Sequence, residues 1–275
     1  MTKTILDHVS IGTRVPSQGW ELFGRLLGGT WVYGGDSPGF WWGQVRFGTG
    51  PKIELITPTR GPDSAFLERF LARNGPGAHH LNFMVSDIEL TLRRIRALGI
   101  EPVQVSLDNP RWKEAFLRSR DASGIVIQVA EQSGPPPELA APAGLDPAGL
   151  PSAFTLVEQY VENIPAATAL FELALDGEVV SQAGTGADSV AELTWPNGAR
   201  LRLSAQVPGP PAENVFGAGT GASASPRAGD EPRPSRGGAV GPLHFSRDDE
   251  PFSPDELSRA ADLSGLLGVC IELRS

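Results

Sequence analysis

One cysteine, Cys270, is all that the chain carries. A single thiol excludes an intramolecular disulfide and fits a reducing compartment. Lysine is almost as scarce. Only Lys3, Lys52 and Lys113 occur, the other basic residues being arginines, a bias typical of GC-rich genomes. No Lys/Arg-rich run exists, and the net charge is -9 with a pI near 5.0. That balance argues against nucleic acid and anionic membrane as partners. Long apolar runs are missing too: no segment approaches the roughly 20 residues of a membrane span. The stretch MTKTILDHVSIG places a charge and a histidine where a signal peptide needs an apolar run, so a cytoplasmic location is expected. What remains is an ordinary globular mixture, 275 residues long, 40% hydrophobic and 20% charged. It suffices for one large domain or two ordinary ones.

The chain repeats itself. ILDHVSI (5 to 11) reads as a strand, PSQGWELFGRLLG (16 to 28) as a helix, and TWVYGG, FWWGQVRFG and KIELITP as three further strands broken by glycine and proline. This β-α-β-β-β unit restarts at residue 79. HHLNFMV is a strand, and DIELTLRRIRALGI is a helix capped by Asp87 and closed by Gly99. PVQVSLD, WKEAFLRS and GIVIQVAE are three more strands. A third copy begins near residue 153 at a constant offset, so that Phe171 answers Phe23 and WPNGARLRLSA answers GPKIELIT. A fourth, abbreviated copy runs from GPLHFSRDD (241 to 249) to GVCIELRS (268 to 275), its middle strands lost. The expected fold class is therefore α+β, built from paired βαβββ modules with a second, degenerate copy. The expected domains are 1–132, a Pro-rich linker at 133–151, and 152–275 with a disordered insertion at 208–238.

Alternation assigns faces. Leu6, His8 and Ser10 share one face of the first strand, and Lys52, Glu54 and Ile56 share one face of KIELIT. In GPGAHHLNFMV, His80, Asn82 and Met84 oppose His79, Leu81, Phe83 and Val85. In GIVIQVAE, Val126, Gln128 and Ala130 oppose Ile125, Ile127 and Val129. One face is steadily apolar, suited to packing helices. The other carries one potential ligand per strand: His8, Glu54, His80 and Gln128. Two imidazoles, a carboxylate and an amide oxygen suit a divalent ion such as Co, Ni, Mn, Zn or Fe(II), with positions left for substrate oxygens. His79, on the opposite face by this reading, is expected to be an ordinary hydrogen-bonded residue.

Paired modules with ligands on their first and last strands resemble the vicinal oxygen chelate superfamily, and within it the methylmalonyl-CoA epimerase-like members. The likeness rests on LDHVSIG, GPKIELITP, GAHHLNFMVSDIELTLRRIRALGI and GIVIQVAE, in that order over residues 5 to 131. The resemblance puts the metal positions on His8, Glu54, His80 and Gln128. It implies an isomerase, epimerase or lyase that stabilises an enolate of an oxygen-chelating substrate on the metal. This chain differs in carrying the carboxylate on the fourth strand and the amide on the eighth, the reverse of the epimerase pattern. Ligand charge survives the exchange, but an amide takes no proton at neutral pH. Glu54 is thus the expected catalytic base.

Other readings stay open. A ring-cleaving-type Fe(II) dioxygenase also uses two histidines and a carboxylate, and drug-binding members of the superfamily need no metal. Trp31, Tyr33, Phe40, Trp41, Trp42, Trp112 and Phe116 suggest an aromatic-walled pocket, with about half of them facing it. Arg46, Arg118 and Arg120 are candidates for an anionic substrate group. In the C-terminal half the corresponding ligand positions are Leu156, Arg202, His244 and Glu272, a set that cannot hold a cation. The expected partner is a small-molecule substrate, and a homodimer is compatible with the pattern.

Overall fold

A computed structural model describes residues 3–48, 50–134, 140–142, 145, 150–205, 239–247 and 250–274. The first half forms one eight-stranded sheet in the order β2-β3-β4-β1-β5-β8-β7-β6. Its strands are β1 (Ile5–Gly12), β2 (Thr30–Ser37), β3 (Phe40–Arg46), β4 (Lys52–Pro58), β5 (Gly77–Met84), β6 (Val103–Ser106), β7 (Trp112–Leu117) and β8 (Val126–Gln132). β1 runs parallel to β4, β5 runs parallel to β8, and the two modules meet where β1 and β5 pair antiparallel. This is the paired-module α+β fold that the sequence predicts.

The helices follow their local signals. α1 (Pro16–Gly19) starts on a proline at its first turn and widens into a π-helix, Trp20–Leu26. α3 (Ile88–Ala97) opens on Asp87, whose Oδ1 accepts from the Leu90 amide at 2.8 Å. Between the modules lies a helix that the repeat analysis passed over, α2 (Ala65–Asn74), with Leu67 and Leu71 buried beneath it. Its signal was present in the apolar spacing of AFLERFLARN. No helix among the described residues is long and apolar enough to cross a membrane.

The second half repeats the plan. Its sheet runs β10-β11-β12-β9-β13-β14, from β9 (Ala153–Tyr160), β10 (Glu178–Ala183), β11 (Val190–Thr194), β12 (Arg200–Ser204), β13 (Ala239–Ser246) and β14 (Ile271–Arg274). That order matches β2-β3-β4-β1-β5-β8, and among the described residues β6 and β7 have no counterparts. α4 (Ile164–Ala169) widens into a π-helix at Leu170–Ala174, so Phe23 and Phe171 sit in matching π turns, both fully buried. α5 (Pro254–Leu266) bears a full capping box between Ser253 and Glu256. The expected insertion at 208–238 lies outside the described residues. Of the expected linker, Leu145 is described and is buried, its side chain pressed against Gly24.

The halves pack back to back through one continuous apolar core. Phe245 stacks on Phe154 at 4.8 Å between ring centroids and meets Phe47 edge-on at 4.9 Å. Phe83 similarly meets Phe171 and Trp195. α5 lies against α1 and its π continuation, and α3 lies against the π turn after α4. Polar ties close the rim: Asn197 Nδ2 donates to the Leu6 carbonyl at 2.9 Å, and Arg94 pairs with Asp176 at 2.7 Å. Gly28 adopts φ +69° where the chain returns after Leu150. A Cβ there would lie 2.5 Å from the Leu150 carbonyl oxygen, so only glycine fits. Because the aromatic cluster belongs to both halves, Phe245→Ala is expected to cost about 3–5 kcal/mol. It should shift a single unfolding transition in a urea titration. Two separate transitions, only one of them moved, would show that the halves fold independently.

Candidate metal centre

The concave face of the eight-stranded sheet encloses a cavity of about 1310 Å³, and every residue lining it lies between Asp7 and Ser133. It belongs to the first half alone. Its deep end is built by four adjacent strands. Ser10 on β1 sits opposite Glu54 on β4 and opposite His80 on β5, while Asn82 on β5 sits opposite Gln128 on β8.

His8, Glu54 and His80 come together there, all buried, with one ligand atom from each within 4.8 Å of the others. His8 Nε2 lies 3.5 Å and His80 Nε2 3.8 Å from Glu54 Oε1. Neither Nε2 atom has a hydrogen-bond partner. Two orphaned imidazole nitrogens aimed at one buried carboxylate are costly unless something electropositive completes them. The donor set therefore fits a divalent cation. Gln128 lies on the same wall. Its Oε1 accepts from Asn82 Nδ2 at 2.8 Å, and its Nε2 donates to Glu114 Oε2 at 2.8 Å. These two bonds fix which way the amide faces.

The surrounding charges are settled by burial and contact. Burial alone would raise the Glu54 carboxyl, but the nearby His8 outweighs it and holds the group well below the usual carboxylate range. Burial would likewise lower His8, yet Glu54 and Asp7 together push it up to about 9. Burial lowers His79 to about 4 and, with His79 beside it, lowers His80 well below its ordinary value.

Alternation failed at two positions, both marked by breaks in the β1–β5 register. One break lies between Leu6 and His8, and the other skips His79. At the first bulge Leu6 turns into the apolar core instead of sharing a face with His8, while Asp7 turns toward the cavity. At the second, His79 joins His80 on the cavity wall, and the two Nδ1 atoms meet at 2.9 Å. The His79 ring is also packed edge-on by Phe66 and Phe70 of α2. The expectation that the histidine pair splits between faces is thus corrected.

Three further residues escaped the sequence reading. Gln44 on β3, buried inside an aromatic run, donates from Nε2 to Glu54 Oε2 at 2.8 Å. Asp7 contacts His8 and Lys52. Glu114 on β7 puts a second carboxylate into the cavity, its Oε2 also accepting from Trp112 Nε1 at 2.9 Å. Nothing in their local pattern marks them, because ligand-like chemistry was sought on four strands only. Of the aromatics, Tyr33, Phe40, Trp42, Trp112 and Phe116 line the cavity, whereas Trp31 and Trp41 pack with Trp20 against the core. Arg118 lines the cavity; Arg46 and Arg120 do not.

The matching face of the second half is closed by ion pairs. Arg202 Nη1 donates to Glu158 Oε1 at 2.9 Å, and His244 Nε2 meets the same oxygen at 2.9 Å. His244 Nδ1 lies 3.2 Å from Glu272. In the strand register His244 faces Leu156 as Asn82 faces His8, so it answers Asn82 rather than His80.

Residues 7–116 match the family model described as Glyoxalase/Bleomycin resistance protein/Dioxygenase superfamily. With the paired βαβββ modules, that match supports the resemblance of the first half to this superfamily, the vicinal oxygen chelate group. Methylmalonyl-CoA epimerase from Mycobacterium tuberculosis is 26% identical, over 47% of this chain and 88% of its own, with a TM-score of 0.42. A mutant 4-hydroxymandelate synthase from Streptomyces coelicolor is 14% identical over 96% of this chain and 76% of its own, with a TM-score of 0.58. A xylose isomerase-like TIM barrel/4-hydroxyphenylpyruvate dioxygenase fusion protein is 16% identical over 94% of this chain and 38% of its own, with a TM-score of 0.56. The last two share the fold across both halves. No curated protein matches the sequence.

Gln44 is the sole donor found on Glu54 Oε2 among the described residues. Gln44→Leu is therefore expected to destabilise the metal-free protein by about 1.5–3 kcal/mol, the range for a buried hydrogen bond to a charged group. A change under about 0.5 kcal/mol in urea unfolding would mean that Glu54 finds another donor at no cost.

Proposed function

We propose that the chain is a metal-dependent enzyme acting on a small molecule through two neighbouring oxygens, as an isomerase, epimerase or lyase. One observation carries this reading: two orphaned imidazole nitrogens converge on a buried carboxylate at the floor of a large cavity. His8, Glu54 and His80 would hold the ion, with Gln128 Oε1 as a fourth donor. The ion would supply Lewis-acid polarisation of the substrate oxygens. Residues 1–132 form the active unit in this proposal, and 152–275 buttress it. The aromatic walls favour a substrate with a ring or an apolar body.

The chain's own carboxylates then divide the proton work. Both oxygens of Glu54 already accept hydrogen bonds, from Ser10 and Gln44. A carboxylate so engaged, with its affinity for protons depressed, is a poor base. Glu114 lines the cavity and has both of its hydrogen bonds on Oε2, with no donor to Oε1 among the described residues. We assign Glu54 to holding the ion and make Glu114 the second candidate for proton transfer beside it.

A second reading has the ligand chemistry in its favour. Two histidines and one carboxylate are also the set used by Fe(II) oxygenases. Oxygen consumption by iron-loaded protein over a panel of phenolic and 2-oxo acids would favour it. A purely binding, metal-free protein does not account for the orphaned nitrogens.

Metal analysis tests the core of the proposal. Protein purified without chelator or histidine tag should contain about one divalent ion per chain. His80→Ala should abolish it and His244→Ala should leave it intact; a metal-free wild type, or loss of half of two ions in His244→Ala, would refute it. Proton exchange at the α-carbon of a methylmalonyl-type thioester in deuterated water tests the chemistry. If the epimerase-type reading holds, Gln128→Glu should show measurable exchange. Glu114→Gln should lower wild-type exchange by about 10²–10⁴-fold at unchanged metal content. Silence in every metal-loaded variant would exclude acyl thioesters as substrates.

A further inference from the structure

Asp7 is the residue that alternation should have turned away from the site. The bulge between Leu6 and His8 brings it to the cavity side instead. There its Oδ2 lies 2.8 Å from His8 Nδ1 and 2.8 Å from Lys52 Nζ. Lys52 stands opposite His8 in the parallel β1–β4 register, buried to 4% exposure, and donates to the Tyr33 hydroxyl at 3.1 Å. Tyr33 itself lines the cavity. A chain of polar contacts thus runs from the cavity wall through Lys52 and Asp7 to the back of the His8 ring.

The two nitrogens of an imidazole are not equivalent. The one that donates its proton to a neighbour leaves the other with an in-plane lone pair. Asp7 offers His8 a charged acceptor at Nδ1, and Nε2 is the nitrogen left without a partner and aimed at Glu54. His80 has the same arrangement with a weaker orienter, since its Nδ1 meets the neutral ring of His79. Lys52 has a distinct task. Its ammonium, 2.8 Å from Asp7 Oδ2, pairs the charge of this buried carboxylate and holds it against the His8 ring.

Resting on the reading that an ion occupies the His8–Glu54–His80 cluster, we propose that Asp7 is a positioning residue for that ion. It holds His8 as the tautomer protonated at Nδ1 and leaves Nε2 as the lone-pair donor, while Lys52 pairs with Asp7 and holds it in place. The β1 bulge then has a chemical purpose: it converts a ligand that could rotate and tautomerise into one with a fixed lone pair. Carboxylates behind ligating histidines act on metal affinity in this way, typically by 10–100-fold.

Cobalt(II) titration of the full, metal-free chain, followed by calorimetry and by the visible absorption of the bound ion, tests this. Asp7→Asn should weaken cobalt binding about 10–100-fold and alter the visible bands. It also strands a buried ammonium, so it should lower the melting temperature. The double variant Asp7→Asn/Lys52→Met removes that ammonium, and its melting temperature should recover while its cobalt affinity stays weak. That split distinguishes orientation of a ligand from support of the fold. Wild-type affinity in either variant, or affinity that recovers in step with stability, overturns the proposal while leaving the metal centre standing. Failure of the wild type itself to bind cobalt overturns the metal centre and this inference with it.

Discussion

The antiparallel pairing of β1 with β5 is the constraint from which the site follows. These strands lie at the middle of the eight-stranded sheet, each with a parallel neighbour from its own module. Pairing them sets His8, Glu54, His80 and Gln128 on one concave wall, although the four span more than a hundred positions of sequence. Regular pairing would supply the ligands with nothing behind them. Each of the two register breaks adds one residue to the cavity side, Asp7 behind His8 and His79 behind His80. The irregularities are where the sheet departs from uniform pairing and brings a neighbour against each imidazole.

Burying so many ionisable groups side by side is costly, and the structure offsets that by pairing nearly all of them. Lys52 faces Asp7, His8 faces Glu54 and Asp7, and Ser10 and Gln44 supply Glu54 with donors. Among the described ionisable groups of the cavity, the Nε2 atoms of His8 and His80 are left without a hydrogen-bond partner. In the second half the same sheet position shows the opposite outcome. Arg202 stands in place of the carboxylate and pairs with Glu158 and Glu192, so charges on this face are matched internally.

Much of this was legible in the chain. The module repeat, the succession of strands in the first half, the Asp87 cap and the apolar face of Ile53, Leu55, Leu81, Phe83, Ile127 and Val129 all follow from periodicity and punctuation. The meeting of His8, Glu54 and His80 follows from their repeat positions. Bulges are not legible, because a one-residue slip leaves no mark in composition, yet it moves every side chain beyond it to the other face. That is why strict alternation puts Leu6 and His79 on the wrong side. Gln44 and Glu114 were missed for a different reason: they act as partners of other side chains, and partnership across strands depends on register rather than on residue type. The helix α2 is announced by the spacing of Phe66, Leu67, Phe70 and Leu71, although it lies outside the module repeat.

The shared aromatic cluster of Phe47, Phe154 and Phe245 has a consequence for assembly. A lone eight-stranded sheet with helices on one side exposes a broad greasy back, and a second subunit is one natural cover for it. Here the cover is encoded in the same polypeptide, tethered and present at a fixed ratio of one to one. The unit is in effect a dimer with unequal halves, one carrying the His8–Glu54–His80 cluster and the other carrying ion pairs in its place. Its back is therefore closed to further copies of itself. Any larger oligomer has to use the remaining surface, where Val180 on the edge strand β10 and Leu257 and Leu266 on α5 are exposed apolar side chains.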